Sequence, residues 1–560
     1  MSWIFGCFGN RERLQINSPE IPVHSFQSSN LILYAGGNNQ TVFYKSDELN
    51  SSCWASAGVG LKQSGDGYKN LDTNDWDNYL SPKEVNLSEV NGHFVALKYI
   101  DDELKFLTDQ LGLREIFLVK LTEGWGFTTR IDWLKYFIDP EIDFQEFGAS
   151  WLLQNQISRN SIIKNVKRLV CANATIKNNT LKVEENHWKP DFEIGGGNEN
   201  FDSTLKQFLL LGDKKISLSL SGGLDSRLLL SYLISKNPAL WEAHTFGDPN
   251  HPDSKIASDL LKAVNLENRI INEILPSEVQ TIEILKSYSV RSIVTNPISS
   301  ILNLRFYNLI RDENKIIIDG GFGEIWRREF ANKLLLLGNK ALLDNDSKKI
   351  FRLLEHSKPN IFSEDIFDEM QRGTITQIDN LFKELPDLKS ISLGRWVDLF
   401  SLKTRLANYY APEQARVDDH VISFMPFVQK DLLKILFSLS NDDKKNGKLF
   451  KELIKQNSSQ LTKIPLVKGS MTHPFNLSSL NARLYSRIKN KIGRYYKSDK
   501  PGELFYLVKE FVLDLLHSSQ VQNCEIYERK KIELLGNGFK FNSELDWFLS
   551  FEFFRQGISK

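Results

Sequence analysis

The first 185 residues carry short apolar runs separated by polar and glycine-containing turns. These runs lie at residues 4–8, 31–35, 93–99, 103–108, 116–120 and 125–129. Runs of this length and composition are typical of strands. Asp101-Asp102 separates two of them, which predicts a hairpin. We therefore expect a sandwich of β-sheets in this part of the chain.

A different pattern follows the Pro-, Gly- and Asn-rich segment 188–200, which indicates a domain boundary. Apolar runs that suit buried strands now alternate with stretches that suit helices. The predicted order is a helix at 201–211, a strand at 216–220, a helix at 227–236, a strand at 241–246, a helix at 253–264 and a strand at 267–271. This alternation over short links predicts a doubly wound parallel sheet, which binds ligands at the carboxyl ends of its strands.

From Phe330 to the end, apolar residues recur mostly at helical spacing. The patterns together predict an α/β protein with a layered β domain over 1–185 and a linker over 186–200. An α/β domain follows over 201–560, and its part from about 400 to 560 is expected to be helical.

Composition argues against several kinds of partner and location. Lys plus Arg and Asp plus Glu number 70 each, so no net charge favours nucleic acid or a membrane surface. The four cysteines are far apart and lack CxxC spacing, which argues against disulfides and structural zinc and fits the cytoplasm. No apolar run reaches the roughly 18 residues of a membrane span. The start, Met1-Ser2-Trp3-Ile4-Phe5-Gly6, lacks the basic region of a secretory signal.

The most informative segment is Ser221-Gly222-Gly223-Leu224-Asp225-Ser226, which follows the predicted strand ending at Leu220. A Gly-Gly turn at a helix start presents backbone N–H groups to an anion, as phosphate-binding loops do. The segment lacks Gly-Lys-Ser/Thr and is not a Walker loop. It closely resembles the pyrophosphate loop (PP-loop) of ATP pyrophosphatases, in the form found in the asparagine synthetase family. The resemblance implies ATP contacts along this segment, at Leu220 and at Phe246.

A second strand-and-loop unit is predicted at Lys315-Ile316-Ile317-Ile318-Asp319-Gly320-Gly321-Phe322-Gly323-Glu324. Its loop resembles the family's Ser-Gly-Glu-Gly-Ala-Asp-Glu segment, which implies that Asp319 and Gly320 lie against the nucleotide. Glu324 matches the family aspartate that helps to hold magnesium, and Gly321 replaces a glutamate used in asparagine synthesis.

A metal is expected at these loops on chemical grounds as well. Cleavage of ATP between its α- and β-phosphates concentrates negative charge on pyrophosphate, which Mg²⁺ held by one or two carboxylates usually neutralises. We predict ATP and Mg²⁺ as cofactors, with Asp225 and Glu324 as the metal ligands. In the alternative, both acids are caps of helix N-termini.

Lys448 is the second candidate catalytic residue beside Glu324. Val421-Ile422-Ser423-Phe424-Met425-Pro426-Phe427 resembles the family's Val-Arg-Val-Pro-Phe signature, and Asn446-Gly447-Lys448 follows at about the family's distance. The resemblance implies that this lysine stabilises the adenylate, the tetrahedral intermediate or the departing pyrophosphate. Without that spacing, Lys448 is an ordinary solvated charge.

The N-terminal segments resemble a class II glutamine amidotransferase domain. The start of the chain matches Met-Cys-Gly-Ile-Phe-Gly, and the segment 91–114 matches that domain's later hairpin and its Asp-Arg-Leu-Gly-Ile-Lys segment. In the family, the second residue is a nucleophilic cysteine that releases ammonia from glutamine. Ser2 stands there, a hydroxyl is a far weaker nucleophile without an activating base, and Trp3 adds bulk. We expect a retained scaffold without glutaminase activity, with Ser2 as the degenerate glutaminase position.

The resemblance covers nearly all of the chain. It implies a layered β-sandwich of the N-terminal-nucleophile type, then a PP-loop domain related to the adenine nucleotide α-hydrolases, with a helical C-terminal extension. The family members closest in pattern are the lasso peptide macrolactam synthetases and the β-lactam synthetases.

This resemblance predicts an AMP-forming carbon–nitrogen ligase. The enzyme would adenylate a carboxylate, release pyrophosphate and join the acyl group to an amine carried by the substrate, with lasso-type macrolactam formation favoured. Its expected partners are a peptide or small-molecule substrate and a leader-peptide-binding protein or protease of the same pathway. The alternatives are an asparagine synthetase that uses ammonia or glutamine, and a non-catalytic nucleotide-binding scaffold.

One further segment has two interpretations. Residues 483–500 carry seven basic side chains, namely Arg483, Arg487, Lys489, Lys491, Arg494, Lys497 and Lys500. The stretch is either a solvated helix face or an electrostatic patch for an acidic peptide or partner protein.

Overall fold

A computed structural model describes residues 2–9, 16–47, 51–190, 198–212, 214–272, 275–356, 358–469, 471–492, 500–537 and 542–559. Side chains are described throughout these ranges except at 198, 199, 479, 480, 483, 486, 487, 490 and 500. Most of the predicted linker and part of the basic stretch therefore lie outside the described residues.

The N-terminal part is built from antiparallel strands. In chain order they are β1 (Trp3–Gly9), β2 (His24–Gln27), β3 (Leu31–Gly36), β4 (Val42–Asp47), β5 (Ser52–Ser64), β6 (Gly67–Asn70), β7 (Asn91–Ile100), β8 (Glu103–Thr108), β9 (Ile116–Leu121), β10 (Gly124–Thr128), β11 (Val166–Leu169), β12 (Ala172–Lys177) and β13 (Thr180–Glu185). Two helices accompany them, α1 (Thr73–Leu80) and α2 (Phe144–Leu153).

These strands form two sheets among the described residues. The first has the order β11-β9-β10-β1-β3-β2, and the second has the order β13-β12-β8-β7-β5-β4 with β6 paired to β5. Alternation along β1 places Ile4 and Phe8 in the core between the sheets, whereas Trp3 and Phe5 pack on the opposite face against Trp133. The predicted sandwich of sheets is therefore present.

The predicted hairpin at Asp101-Asp102 is confirmed. Strands β7 and β8 pair antiparallel, with Ile100 opposite Glu103. Asp101 and Asp102 have φ values of 51° and 56°, the left-handed conformation that a two-residue type I′ turn requires at both positions. Strands β9 and β10 also pair antiparallel, with Val119 opposite Gly126.

A second part holds a parallel sheet with helices on its faces. Its elements are α3 (Asn198–Phe208), β14 (Lys215–Ser219), α4 (Leu224–Leu233), β15 (Trp241–Phe246), α5 (Pro252–Lys262), β16 (Arg269–Ile271), α6 (Glu278–Ser289), α7 (Tyr307–Asp312), β17 (Lys315–Ile318), α8 (Gly323–Trp326) and β18 (Ser423–Phe424). All its strand pairs are parallel, in the order β16-β15-β14-β17-β18. The chain is thus a mixed α/β protein with several sheets.

The helix predicted after the first strand of this part was placed three residues too late. The sequence indicated a start at Arg227, but α4 begins at Leu224 with Gly223 as its N-cap in an extended conformation. Asp225 therefore lies in the first helical turn, where a carboxylate is favoured by the helix dipole. The short strand β18 was not predicted, because two residues carry no periodicity.

The remaining residues are largely helical, as predicted. The helices are α9 (Asn332–Leu337), α10 (Asn339–Leu343), α11 (Ser347–Leu354), α12 (Glu364–Glu384), α13 (Leu393–Arg405), α14 (Ala411–Val417), α15 (Lys430–Ser438), α16 (Asn441–Lys444), α17 (Lys448–Asn457), α18 (Ser479–Lys491), α19 (Lys500–Leu507), α20 (Lys509–His517), α21 (Ser519–Gln522), α22 (Arg529–Gly536) and α23 (Ser543–Ile558). A π-helix spans Leu406–Tyr410, and β19 (Leu466–Lys468) pairs with β20 (Met471–His473). In the described part of the chain, no helix is long and apolar enough to cross a membrane.

Candidate functional site

The two loops singled out in the sequence meet at the carboxyl edge of the parallel sheet. They follow β14 and β17, which are neighbours, while the strand order runs outward from them in both directions. Such a reversal of strand order leaves a crevice where ligands bind. A Cβ atom on Gly320 would lie 2.7 Å from Cβ of Asp225, and one on Gly323 would lie 2.2 Å from its Cγ. Glycine at both positions is therefore what lets the loops touch.

The first loop directs its backbone N–H groups at oxygen acceptors. Gly222 donates to Oδ1 of Asp253 at 2.9 Å, and Gly223 donates to Oγ of Ser221 at 3.2 Å. The Ser221 amide donates to Oγ of Ser226 at 3.1 Å. Burial raises the pKa of Asp253, while the Gly222 bond lowers it. A carboxylate of the protein itself thus lies at the loop amide that an anionic ligand would use.

Asp225 forms a two-bonded ion pair with Arg327. Nε and Nη2 of Arg327 donate to Oδ1 and Oδ2 of Asp225 at 2.5 and 2.8 Å. The network continues from Nη1 of Arg327 to Glu329 at 2.8 Å, and from Glu329 to Lys468 at 3.1 Å. Burial raises the pKa of Asp225 and the Arg327 guanidinium opposes that shift. The carboxylate therefore depends on Arg327 to stay charged.

Glu324 is held by the π-helix. Tyr410 donates its hydroxyl proton to Oε1 of Glu324 at 2.6 Å and accepts a bond from the Phe322 amide at 3.0 Å. Nε of Arg405 also donates to Oε1, at 3.2 Å. Single-turn π-helices are frequent at functional sites. Here a tyrosine at the end of the π-helix and the arginine just before it both reach one carboxylate.

Asp319 begins the second loop, and Phe246 ends the neighbouring strand β15. Oδ1 of Asp319 accepts a bond from the Gly321 amide at 2.6 Å, and burial raises its pKa to about 6. Phe246 lines a cavity of about 290 Å³ together with Asp253, Leu302 and Leu504. Because Asp253 also binds the Gly222 amide, this cavity opens beside the loop.

Lys448 begins α17 at the rim of the site. Its side chain is 51% exposed, and Nζ lies 3.7 Å from Oδ1 of Asp443. The preceding Gly447 has φ of 65° and packs against Leu224 and the stem of Arg327. The lysine faces a cleft of about 720 Å³ that Lys451 and Phe475 also line. The backbone of Lys448 is therefore held close to the first loop, while its long side chain extends into solvent.

Magnesium fits this donor set only as an ion that arrives on the nucleotide. Within the described ranges, no group of three or more His, Cys, Asp and Glu side chains forms a metal cage. Asp225 and Glu324 supply two carboxylates, which is the number that suffices when phosphates and water complete the octahedron. Both are now paired with guanidinium groups, which would have to shift as the ion bound.

Ser2, which was predicted to be a degenerate glutaminase position, is enclosed. Ser2 is fully buried, and its carbonyl oxygen accepts a bond from Nη2 of Arg114 at 2.7 Å. Arg114 in turn pairs with Asp418 at 2.9 Å, and Nε2 of His93 lies 3.0 Å from the same carboxylate. A Cβ on Gly36 would lie 2.6 Å from the Trp3 ring, which fills the adjoining space.

Several residues at the site were not found from the sequence. Arg327 follows Glu324 by about one helical turn. The charged run Arg327-Arg328-Glu329 was the sequence feature that could have indicated it. Arg405 and Tyr410 had no such sequence signal, because they lie about 80 residues from Glu324 along the chain.

Arg227 is another residue that the sequence did not single out. It is buried and donates to the carbonyl oxygens of Leu461, Ile464 and Pro465 at 3.0, 2.6 and 2.6 Å. It anchors the segment that leads to Val467, whose amide donates to Gly222 O at 2.9 Å.

The basic stretch 483–500 does not enter the site through its described side chains. Nζ of Lys489 donates to the carbonyl oxygen of Thr472 at 3.2 Å. Residues 493–499, with Arg494 and Lys497, lie outside the described residues.

Comparisons with known proteins give weak similarities. No protein-family model matches the chain, and no curated protein matches it. Among solved structures, it is similar to the U34-tRNA thiolase NcsA from Methanococcus maripaludis with its 4Fe-4S cluster. That match has 14% identity and a TM-score of 0.21, and it covers 62% of this chain and 88% of the other.

A second similarity is to glutamine phosphoribosylpyrophosphate amidotransferase from B. subtilis complexed with ADP and GMP. It has 10% identity and a TM-score of 0.19, and it covers 52% of this chain and 68% of the other. TM-scores this low do not establish a common fold.

Proposed function

We propose that this protein is an ATP- and Mg²⁺-dependent ligase that activates a carboxylate as an acyl-adenylate and joins it to an amine. The observation that carries the proposal is the contact between the Ser221–Ser226 loop and the Asp319–Glu324 loop at the reversal of strand order. A loop of backbone amides at a helix N-terminus, with two carboxylates and nearby cations, suits a polyphosphate that must leave.

The nucleotide would lie across this crevice. The cavity beside Phe246 suits the adenosine moiety, and the amides of Gly222 and Gly223 suit the phosphates. Asp253 would give up the Gly222 amide as the phosphates arrive. Asp225 and Glu324 would hold Mg²⁺, which when bound neutralises charge on pyrophosphate.

In the first step, an oxygen of the substrate carboxylate attacks the α-phosphorus of ATP. The bond from that phosphorus to the bridging oxygen breaks, and pyrophosphate leaves with the electron pair. Arg327 and Lys448 provide positive charge where it accumulates. In the second step, an amine nitrogen attacks the activated carbonyl carbon and releases a proton to solvent. The C–O bond to AMP breaks, and AMP departs with the electron pair. The product is an amide.

The amine belongs to the substrate in this proposal. The complete burial of Ser2 beneath Arg114 argues against ammonia from glutamine, since a nucleophile must reach its substrate. We therefore favour intramolecular amide formation in a peptide, as in lasso-type macrolactams. A leader-peptide-binding protein or a protease of the same pathway is the partner that this substrate implies.

The proposal is tested by incubating the protein with ATP, Mg²⁺ and candidate peptides that carry an N-terminal amine and an Asp or Glu side chain. Mass spectrometry should show a product lighter by one water, with one AMP and one pyrophosphate formed per product. Release of ADP and phosphate would contradict adenylation. Glutamine-dependent conversion of aspartate to asparagine would favour an asparagine synthetase, and ATP binding without any pyrophosphate would favour a non-catalytic scaffold.

A further inference from the structure

A large cavity lies between the N-terminal sheets and the C-terminal helices, apart from the candidate ATP site. Its volume is about 790 Å³, and its walls come from β11, β12, α12, α13 and the segments 157–160 and 187–190. None of the residues predicted to bind ATP lines it. Cavities of 300–1,000 Å³ are the size that proteins use for small organic ligands.

Positive charge dominates the lining. Five basic side chains face the cavity against two carboxylates, Glu185 and Glu384. The basic residues are Arg159, Lys167, Arg168, Lys189 and Lys403. Arg168 is neutralised by Glu115 and Lys403 lies 3.1 Å from Glu384, which is itself 60% exposed. In the ranges that the structure describes, Arg159 has no carboxylate within ion-pair distance, and its bonding partner is the imidazole of His187.

The protonation state of His187 is a second sign of positive potential in this cavity. Nη1 of Arg159 donates to Nδ1 of His187 at 2.5 Å, which requires a neutral ring. Burial, together with the charges of Arg159, Lys403 and Lys189, lowers the pKa of His187 to about 4. A half-buried guanidinium whose partner is a neutral imidazole retains its full charge for a ligand.

The opposite wall is apolar. Leu381 and Leu385 from the end of α12, Leu399 and Leu402 from α13, and Leu169 from β11 line it, and all five are buried. A pocket with one cationic corner and one leucine-rich wall selects a molecule of matching polarity.

We infer that this cavity is a binding site for a small organic acid, with its carboxylate at Arg159 and Lys403 and its apolar body against the leucines of α12 and α13. Guanidinium and ammonium groups bind carboxylate and phosphate alike, and the apolar wall is what favours a carboxylic acid over free phosphate. The inference is independent of the proposed ligase reaction.

Isothermal titration calorimetry of the full chain with octanoate tests the site, with octanamide and inorganic phosphate as the other two arms. Octanoate should bind with Kd of about 0.1–1 mM. Octanamide, which lacks the charge, and phosphate, which lacks the apolar body, should each bind at least tenfold more weakly. Equal binding of octanoate and octanamide, tighter binding of phosphate, or no binding of octanoate overturns the inference.

Variants locate the binding. Arg159→Gln combined with Lys403→Gln should weaken octanoate binding at least tenfold, because the charge-assisted hydrogen bonds to the carboxylate are lost. Lys164→Gln, at an exposed lysine paired with Glu141 elsewhere on the surface, should bind as the parent does. If the double variant fails to fold by circular dichroism, Lys403→Gln alone should still weaken octanoate several-fold. Unchanged affinity in a folded variant contradicts the assignment.

Discussion

The charge state of each residue at the candidate site depends on two opposing effects. Burial disfavours a charged carboxylate, and a neighbouring cation favours it. Asp225 keeps its charge through Arg327, whereas Asp319 accepts only the Gly321 amide among the bonds described for it. Lys448 has no such constraint, because half of its side chain faces solvent. The three residues therefore predict three different kinds of response to substitution.

Arg327→Met should destabilise the protein by about 2–4 kcal/mol. The substitution leaves a largely buried carboxylate without its cation, which costs more than removal of both partners. The double variant Arg327→Met with Asp225→Asn should recover most of that loss. Urea denaturation at pH 7 measures both, and equal instability of the single and double variants would show that the pair has no such coupling.

Asp319→Asn should stabilise the protein relative to the parent as pH rises. The folded pKa of about 6 is above the ordinary 3.8, so between these values the folded state binds more protons than the unfolded state. The parent therefore loses stability from pH 4 to 7, by up to about 3 kcal/mol. Asparagine keeps the acceptor for Gly321 and does not titrate. Denaturation of both proteins at pH 4, 5.5 and 7 should show a widening difference, and a constant difference would contradict the raised pKa.

Lys448→Ala should lower the rate of pyrophosphate release about 10²–10³-fold. Loss of a cation that stabilises transition-state charge has an effect of this size, while an exposed side chain contributes little to folding. The melting temperature should stay within 2–3 degrees of the parent, roughly the effect of a few tenths of a kcal/mol. Lys340→Ala, at an exposed lysine of α10, is the control and should leave the rate unchanged. A Lys448 variant with the parental rate would exclude the residue from the reaction.

Elements, rather than single residues, hold the Ser221–Ser226 loop in shape. The hairpin of β19 and β20 packs on the loop, and a Cβ on Gly222 would lie 2.2 Å from the Val467 side chain. Arg227, in α4, fixes the segment before this hairpin through three carbonyl groups. The first turn of α4 thus binds both the loop and its covering segment.

Arg227→Met should release this covering segment. Burial lowers the Arg227 pKa to about 9, so the guanidinium is still charged at pH 7, and its loss leaves three carbonyl groups without a donor. Hydrogen exchange at the Val467 amide should quicken at least tenfold, with a global loss of about 2–4 kcal/mol. Arg529→Met, at an exposed arginine of α22, should change neither. Unaltered exchange at Val467 would mean that other contacts hold the hairpin.

At the scale of the whole molecule, a buried polar network joins the two parts of the chain. Asp418 precedes β18 and is fully buried. It receives a bond from Arg114 at 2.9 Å, lies 3.0 Å from Nε2 of His93, and its carbonyl oxygen accepts from Asn38. Side chains from both parts thus meet in one buried network around Asp418.

Asp418→Ala should cost about 3–5 kcal/mol, because it leaves Arg114 buried without a counter-ion. Since the network spans both parts, the β-sandwich and the parallel sheet should no longer unfold as one cooperative unit. Urea unfolding followed by near-ultraviolet circular dichroism should show a lower midpoint and a second transition. Asp365→Ala, at an exposed residue of α12, is the control, and a single transition at the parental midpoint would contradict this role of Asp418.

Local sequence was enough to predict the alternation of strands and helices, the Asp101-Asp102 hairpin and the two glycine-containing loops after β14 and β17. Apolar periodicity and turn residues act over a few positions, so the elements that they determine can be recognised from the sequence alone. The position of both loops at the carboxyl edge of the sheet also followed, whereas their contact depends on β14 and β17 being neighbours, which only the structure shows.

Tertiary packing alone set the partners of each charge. Arg405 and Tyr410 reach Glu324, Arg114 and His93 reach Asp418, and Arg159 faces the leucines of α12 and α13, each across many tens of residues. No local pattern encodes such pairs, because their energy depends on burial and on distances that exist only after the chain has packed. The sequence therefore predicts which carboxylates stand at the loops, and the packed fold decides which cations they meet.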